Sequence, residues 1–260
     1  MNAVAQSKDE TLGQRRVFSA DGWTIREFDS VTSTNLVAAG LPAWSAVRTE
    51  TQTAGRGRFQ RKWVSDQGGL WLSAVVPTGP NAAAARALPL VAGLAVCDAL
   101  RSVGLTQFRL RWPNDVLVGD RKLAGLLVDQ FVPGRAVAGI GINVFNQPET
   151  RDPALKNQTA RLADLLDAPP ELPRLTRAVL SSLRLVIGQF HAGGFASLLP
   201  RVNLLWGGPR RVELDLDGPF RRGTFAGVNS EGQLLLLHGP GQPDAYHAHQ
   251  VRHLKEIDSL

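Results

Sequence analysis

At residues 206–211 the sequence WGGPRR divides two incompatible hydrophobic patterns, and no single regular element can run through it. Before it, from about residue 159 to 205, apolar residues return at helical spacing. After it, RVELDL, RRGTFAGV, QLLLLH and AYHAHQV are short alternating runs separated by Gly, Pro, Asn and Asp. A period of two lines one face of a strand, whereas a period of 3.6 lines one stripe of a helix. The chain is therefore expected to end in a small all-β barrel docked on a larger domain of mixed α and β character. The expected boundaries are a flexible N-terminal tail over 1–22, a main domain over 23–207 and the β unit over 208–260.

In the larger domain, WTIREF (23–28) alternates as a strand, and TSTNLVAAG (32–40) offers Ser, Thr and Asn caps before a short helix closed by Gly40. WSAVRTE (44–50) and LWLSAVVP (70–77) predict two more strands, which makes TAGRGRFQRKW (53–63) the loop between them. Residues 83–104 predict a buried Ala/Leu-rich helix interrupted at Pro89 and ended by Gly104. FRLRWPNDVLVGDRKLAGLLVDQF (108–131) reads as a strand, a Pro-Asn-Asp turn and a hairpin closed at Gly119-Asp120. VAGIGINV (137–144) is a further strand, and its Gly139 and Gly141 leave room for another backbone or a ligand.

Composition removes several classes. Hydrophobic residues at 43% and charged residues at 20% suit a chain that folds in water. No apolar run approaches the roughly 18 residues of a membrane span. The polar start MNAVAQSKDETLGQRR lacks the apolar core of a signal peptide, so a cytoplasmic location is expected. Cys97 is the only cysteine, which excludes an intrachain disulfide or a thiolate zinc cluster and reads as a buried small hydrophobe. The net charge of +6 is scattered among 23 acidic residues and not gathered into a basic stripe, so nucleic acid is a minor reading. Lysines stand only at 8, 62, 122, 156 and 255 among 29 basic residues, which singles each of them out.

Two stretches carry chemistry. In the loop at 53–63, Gly55 and Gly57 let backbone approach a ligand closely, while Arg56, Arg58 and Arg61 supply forked donors for phosphate or carboxylate. The spacing is that of neither a Walker loop nor a dinucleotide loop, and a solvated basic loop would show the same composition. In RWPNDVLVGDRKLAGLL, the hairpin would bring Asn114, Asp115 and Lys122 to one rim beside Arg111 and Trp112. Carboxylate, amide and ammonium together suit a magnesium-bound polyphosphate, although ordinary turn chemistry accounts for Asn114 and Asp115 taken alone.

STN at 33–35, QTAGRGRFQRKW at 52–63, RWPND at 111–115, KLAGLL at 122–127 and GIGINV at 139–144 resemble, in order and spacing, the motifs of the biotin protein ligase family over roughly residues 25–255. The resemblance implies an α+β fold, with a mixed sheet like that of class II aminoacyl-tRNA synthetases flanked by helices and a small C-terminal SH3-like β-barrel. It implies formation of biotinoyl-5′-AMP from biotin and Mg-ATP, then transfer of biotin to a lysine of a biotin carboxyl carrier protein domain of acetyl-CoA carboxylase or a related carboxylase. ATP and biotin are then substrates, and Mg2+ travels with ATP. By the same resemblance Ser33, Thr34, Asn35 and Gln52 would contact the biotin ring, and Gly55, Arg56, Gly57 and Arg58 would close over biotin and its adenylate. Arg58 and Arg61 would face the phosphates, Trp63 would lie beside adenine, and Asn143 near the adenylate. Asn114 and Asp115 would stand on the nucleotide and metal side, with Lys122 between the biotin carboxylate and the α-phosphate.

Some assignments stay open at this level. Asp115 suits a proton acceptor for the transfer step, a metal-side group or a structural one; Trp63 and Trp112 also suit a core. Arg111 stands where the family pattern has lysine, and either Arg252 or Lys255 would approach ATP. His247 and His249 would share a strand face, but no third ligand accompanies them, and a solvated strand is the plainer reading, as it is for His253. Some 22 residues before the first strand are too few for a winged helix-turn-helix, so no specific DNA binding is expected. An exposed sheet edge would permit a homodimer. The alternatives are a lipoate or octanoate ligase or transferase of the same fold, and a non-enzymatic RNA-binding module.

Overall fold

The computed structural model of the protein describes residues 13–79 and 84–257. Along the chain, β1 (Gln14–Ala20) and β2 (Trp23–Val31) precede α1 (Thr34–Ala38), and β3 (Ser45–Gln52) and β4 (Leu70–Pro77) flank the Gly/Arg segment. Then come α2 (Leu88–Ser102), β5 (Arg109–Arg111), β6 (Asp115–Val118), β7 (Arg121–Val132), β8 (Arg135–Ile142) and α3 (Leu172–Trp206). The C-terminal part holds β9 (Arg210–Asp215), β10 (Phe220–Val228), β11 (Leu234–Leu237), β12 (Asp244–Tyr246) and β13 (His253–Glu256).

The first eight strands form one sheet in the order β1-β2-β3-β4-β8-β7-β6-β5. Parallel neighbours need a crossover, and α1 supplies it between β2 and β3; the other pairings are antiparallel. LWLSAVVP reads as a nearly unbroken apolar run because both faces of β4 are covered. Leu70, Leu72, Ala74 and Val76 join the core built with α2 and α3. On the opposite face Val75 packs with Phe28, Val31, Val47, Val137 and Ala38 of α1. Helices α2 and α3 thus cover one face, and the other is left for α1 and a cleft. Cys97 is fully buried in α2, and burial, with Asp98 beside it, pushes its thiol up, as suits a packing role.

Several expectations need correction. Gln14–Ala20, inside the segment read as a flexible tail, is the edge strand β1, paired with β2; residues 1–12 lie outside the described part. Pro89 does not interrupt a helix but sits in the first turn of α2, where its missing N–H costs nothing. Residues 159–171 are not helical beyond a 3-10 turn at Leu162–Asp164, and α3 starts at Leu172. The last five strands form an open antiparallel sheet, β12-β11-β10-β9-β13, with β12 and β13 as its edges, and not a closed barrel. His247 caps a 3-10 turn at Ala248–Gln250 and His249 lies within it, rather than the two sharing a strand face; their rings stack at 5.4 Å.

The small sheet shares its core with the large domain. Trp206 at the end of α3 stacks on Phe225 with ring centroids 3.7 Å apart, and Trp112 Nε1 donates to the Gly232 carbonyl at 3.0 Å. No helix among the described residues is long and apolar enough to cross a membrane.

Candidate functional site

A cleft of about 1260 Å³ opens on the free face of the large sheet and runs beneath the C-terminal sheet. Its floor is made by glycines. Gly125 and Gly141 face each other across β7 and β8, and the Trp63 indole lies over both: a Cβ would stand 2.9 Å from it at Gly125 and 2.6 Å at Gly141. Gly139 does the same for Asn35, whose Oδ1 would lie 2.3 Å from a Cβ there. Only a residue without a side chain lets an aromatic ring and an amide rest flat on these strands.

At one end of the floor are the expected polar residues. Ser33, Thr34 and Asn35 are buried where β2 turns into α1, although Ser33 makes no side-chain cap bond. Gln52, the last residue of β3, accepts from Thr34 N at 2.8 Å, holds its Oε1 3.0 Å from Thr34 Oγ1, and donates through Nε2 to Ser65 Oγ at 2.8 Å. Ser73 Oγ lies 2.7 Å from Thr34 Oγ1 and 2.6 Å from Asn35 Oδ1, and Asn35 Nδ2 donates to Asp129 at 2.7 Å. Neither Ser73 nor Asp129 stands out in the sequence as a site residue. A lone serine in the apolar run of β4 is the only signal for Ser73, and Asp129 is indistinguishable there from any strand-end carboxylate.

At the other end stands a charge triad. Lys122 Nζ is 2.6 Å from Asp115 Oδ1, a close charge contact without a well-aligned donor, and Arg111 Nη2 donates to Asp115 Oδ2 at 2.8 Å. The hairpin pairing of β6 with β7 brings residues 115 and 122 together, as their spacing predicts. Burial by itself would raise the Asp115 carboxyl, but Lys122 and Arg111 outweigh it and hold the group below its ordinary value. The arginine at 111, where the family pattern has lysine, is thus used as a further clamp on the carboxylate. Asn114 instead serves the backbone: it is buried at the cleft wall, and Nδ2 donates to the Leu126 carbonyl at 2.6 Å. Asn143 is likewise committed, accepting from Asn146 Nδ2 at 2.9 Å, but it too lines the cleft.

The Gly/Arg segment is a folded hairpin over the cleft. Gly57 N donates to the Arg61 carbonyl at 2.7 Å, Trp63 N to the Gly55 carbonyl at 2.9 Å, and Arg56 pairs with Lys62 through a single bridge. A Cβ at Gly55 would meet Ser65 Oγ and the Trp63 carbonyl at 2.5 Å, so what the missing side chain admits here is the hairpin's own backbone and Ser65, where the sequence suggested a ligand. The arginines turn toward the C-terminal sheet: Arg58 donates to the Val251 carbonyl at 2.9 Å and to that of Ala248, and Arg61 to the Arg252 carbonyl at 3.2 Å. Burial pushes the Arg58 guanidinium down to about 10, the Asp115 charge opposing in part. Its contacts are carbonyls, with no carboxylate among the described residues. Arg56 and Lys62 line the cleft with no ion pair among those residues. His253, at the same junction, is lowered by burial first and then by Arg61 and Arg111, with Asp215 and Asp115 opposing. Arg252 is engaged by Asp217 at 2.9 Å and Lys255 has no ion pair among the described residues; both line the cleft.

Fold and cleft together define a class: an α+β domain whose exposed sheet face carries a cleft with a glycine floor, between neutral hydrogen-bonding groups at one end and cations suited to phosphate at the other. The chain belongs to the biotin/lipoate A/B protein ligase family, whose profile matches residues 26–145. It is 32% identical over 263 residues to the biotin--[acetyl-CoA-carboxylase] ligase of Mycobacterium tuberculosis, covering 95% of this chain and 96% of that protein. It is 34% identical over 230 residues to the bifunctional ligase/repressor BirA of Escherichia coli, covering 83% of this chain and 70% of that one. The structure of biotin protein ligase from Aquifex aeolicus in complex with biotin and ATP matches with a TM-score of 0.78 at 26% identity, over 90% of this chain and 99% of that chain.

Proposed function

We propose that the protein is an ATP-dependent, AMP-forming biotin ligase that makes biotinoyl-5′-AMP and transfers biotin to a lysine of the carrier domain of acetyl-CoA carboxylase or a related carboxylase. The observation that carries this reading is the presence, in one cleft, of the Thr34–Gln52 polar end and the Lys122–Asp115–Arg111 end, separated by the floor under Trp63. A ring rich in hydrogen-bonding groups fits the first and a carboxylate meeting a triphosphate fits the other.

In the first step a biotin carboxylate oxygen attacks the α-phosphorus and pyrophosphate leaves. Two anions must meet, so fixed cations are needed where charge develops. Lys122 and Arg58 fill that role, Asp115 and Arg111 hold Lys122 in place, and Arg61, Lys62 and Arg56 extend the positive wall. Arg58 is suited to it because a desolvated guanidinium bonded only to carbonyls gains from an incoming anion. Among the described residues no three His, Cys, Asp or Glu converge as a metal cage. Magnesium carried on the phosphates would offset their charge, and Asp115 is the carboxylate lining that end of the cleft that would be available to it. In the transfer step the acceptor lysine Nζ attacks the acyl carbon, AMP departs and the amine proton must be taken up. Asp115, stabilised in its charged form by two cations, is a weak acceptor and a good positioning group. Trp63 and the hairpin at 53–63 exclude water from the mixed anhydride. Ser33, Asn35, Gly55 and Gly57 shape the ring pocket, while Asn114 and Asn143 border the nucleotide side.

Pyrophosphate release from Mg-ATP, with biotin, lipoate or octanoate supplied separately, tests the reading. Release with biotin alone, reduced about 100-fold or more in Lys122→Ala, is expected. Release with lipoate or octanoate instead would move the protein to that branch of the family. Silence with all three, with salt-dependent RNA binding, would return the arginine hairpin to a binding module.

A further inference from the structure

The polar end of the cleft is one proton short. Three oxygen–oxygen contacts run in a row, Asn35 Oδ1 to Ser73 Oγ at 2.6 Å, Ser73 Oγ to Thr34 Oγ1 at 2.7 Å, and Thr34 Oγ1 to Gln52 Oε1 at 3.0 Å. Each hydroxyl brings a single proton and the two amide oxygens bring none, so two protons serve three contacts. Turning an amide over would cure the shortage, but both are held. Gln52 is fixed by the Thr34 N–H on its oxygen and by its own donation to Ser65, which in turn lies 3.2 Å from the Trp63 carbonyl. Asn35 is fixed by Asp129: Nδ2 donates to Asp129 Oδ2 at 2.7 Å and to the Leu127 carbonyl at 3.3 Å. A reversed Asn35 would aim its oxygen at a carboxylate and a carbonyl, both acceptors only.

We propose that Asp129 is a positioning residue that sets the direction of this row and so selects ligands presenting N–H donors to Thr34 and Gln52. With the Asn35 oxygen turned inward, Ser73 donates to Asn35 and Thr34 donates to Ser73. The unprotonated contact is then the outer one, between Thr34 and Gln52, both of which line the cleft. Either other order would strand one of the two shorter contacts, 2.6 or 2.7 Å, at Ser73, whose side chain is fully buried and beyond reach of any ligand. A ligand N–H entering at Thr34 and Gln52 supplies the missing proton, whereas a ligand carbonyl there adds a third acceptor. A cyclic urea carries such N–H groups; a dithiolane or an alkyl chain carries none. The ligand side of this inference rests on the biotin reading, and the orientation side does not.

The test uses the full chain in wild-type, Asp129→Ala and Asp129→Asn forms, the last keeping an oxygen that can accept from Asn35. Calorimetric titration with biotin, and with biotin methylated on a ureido nitrogen, gives a selectivity ratio. Asp129→Ala is expected to weaken biotin about tenfold, the loss of about one hydrogen bond, and to narrow the ratio by a similar factor. Asp129→Asn should restore most of both, with ATP affinity unchanged in all three. A purely structural role would shift both ligands and ATP alike. Selective 15N labelling of asparagine gives a readout without ligand: the Asn35 side-chain amide should exchange slowly in the wild type and Asp129→Asn and fast in Asp129→Ala. A ratio unchanged within twofold in Asp129→Ala, or an Asn35 amide indifferent to Asp129, overturns the proposal. A wild type that ignores biotin while its Asn35 amide still depends on Asp129 overturns the substrate reading and the selectivity, and leaves the orientation role standing.

Discussion

Single side chains decide whether this cleft can hold a ligand. Gly141 is one case, because a Cβ there would lie 2.6 Å from Trp63 Nε1 and push the ring off the floor it shares with Gly125. Gly141→Val is expected to lift Trp63, shift tryptophan emission and raise the KM for biotin at least tenfold, with a much smaller change in unfolding midpoint. An unchanged KM would show that the floor is not where the substrate lies. Asp115 makes a pH-dependent prediction. Its folded-state value lies below the ordinary 3.8, so its ion pairs stabilise the fold fully above that pH. The contribution is lost as pH falls through the folded-state value. Asp115→Asn should therefore cost about 1–2 kcal/mol at pH 7, discounted because Lys122 is partly exposed, with the deficit shrinking toward pH 3 in urea titrations. A deficit constant with pH would mean that packing, not charge, is lost.

Elements in this fold are bent by particular residues. Helix α3 runs over Leu172–Trp206 but breaks at Gly194, with φ +67° and ψ −179°, a backbone region that is almost confined to glycine. The break lets the first half pack on the sheet while the other half carries Trp206 to Phe225. Gly194→Ala is expected to destabilise the protein by about 1–3 kcal/mol, read by calorimetry as a lower Tm. A neutral result would show that α3 can straighten without loss. The hairpin at 53–63 turns through Phe59 and Gln60, both at positive φ, +55° and +58°. That tight turn points Arg58 and Arg61 at the C-terminal sheet, so the hairpin is a clasp between the two parts as well as a cover for the cleft.

The whole molecule should unfold as one unit. One core cluster runs from Trp23 and α2 through Trp206 to Phe225 and Leu254, and Arg109 on β5 donates to Glu256 on β13 at 2.5 Å. With so much shared apolar surface, tryptophan fluorescence and far-UV circular dichroism should trace coincident urea transitions. Two separated transitions would show that the C-terminal sheet is stable by itself and that the cleft can open by undocking. The shared core also explains why cations from the small sheet border a cleft built on the large one.

Local signals carried a good part of this in the sequence. Period-two runs named most strands, the Gly119-Asp120 turn set the hairpin that joins Asp115 to Lys122, and the glycines at 139 and 141 marked a close approach, although what lies on them is the side chains of Asn35 and Trp63 and not a backbone. These are decided within a few residues by sterics and turn chemistry, so they survive without tertiary context. Other features depend on what packs where. Gln14–Ala20 becomes a strand only because β2 offers an edge, and five short strands stay an open sheet because α3 and the large domain cover their apolar side. Arg58 is stripped of water against the turn between β12 and β13, some 190 residues further along. Asn35 and Asp129, 94 residues apart, meet through a sheet order that interleaves distant strands. Sequence spacing determined which chemical groups the chain owns and how neighbours turn, while the long-range burial of those groups, and the direction of their hydrogen bonds, was decided only when the two sheets closed on one another.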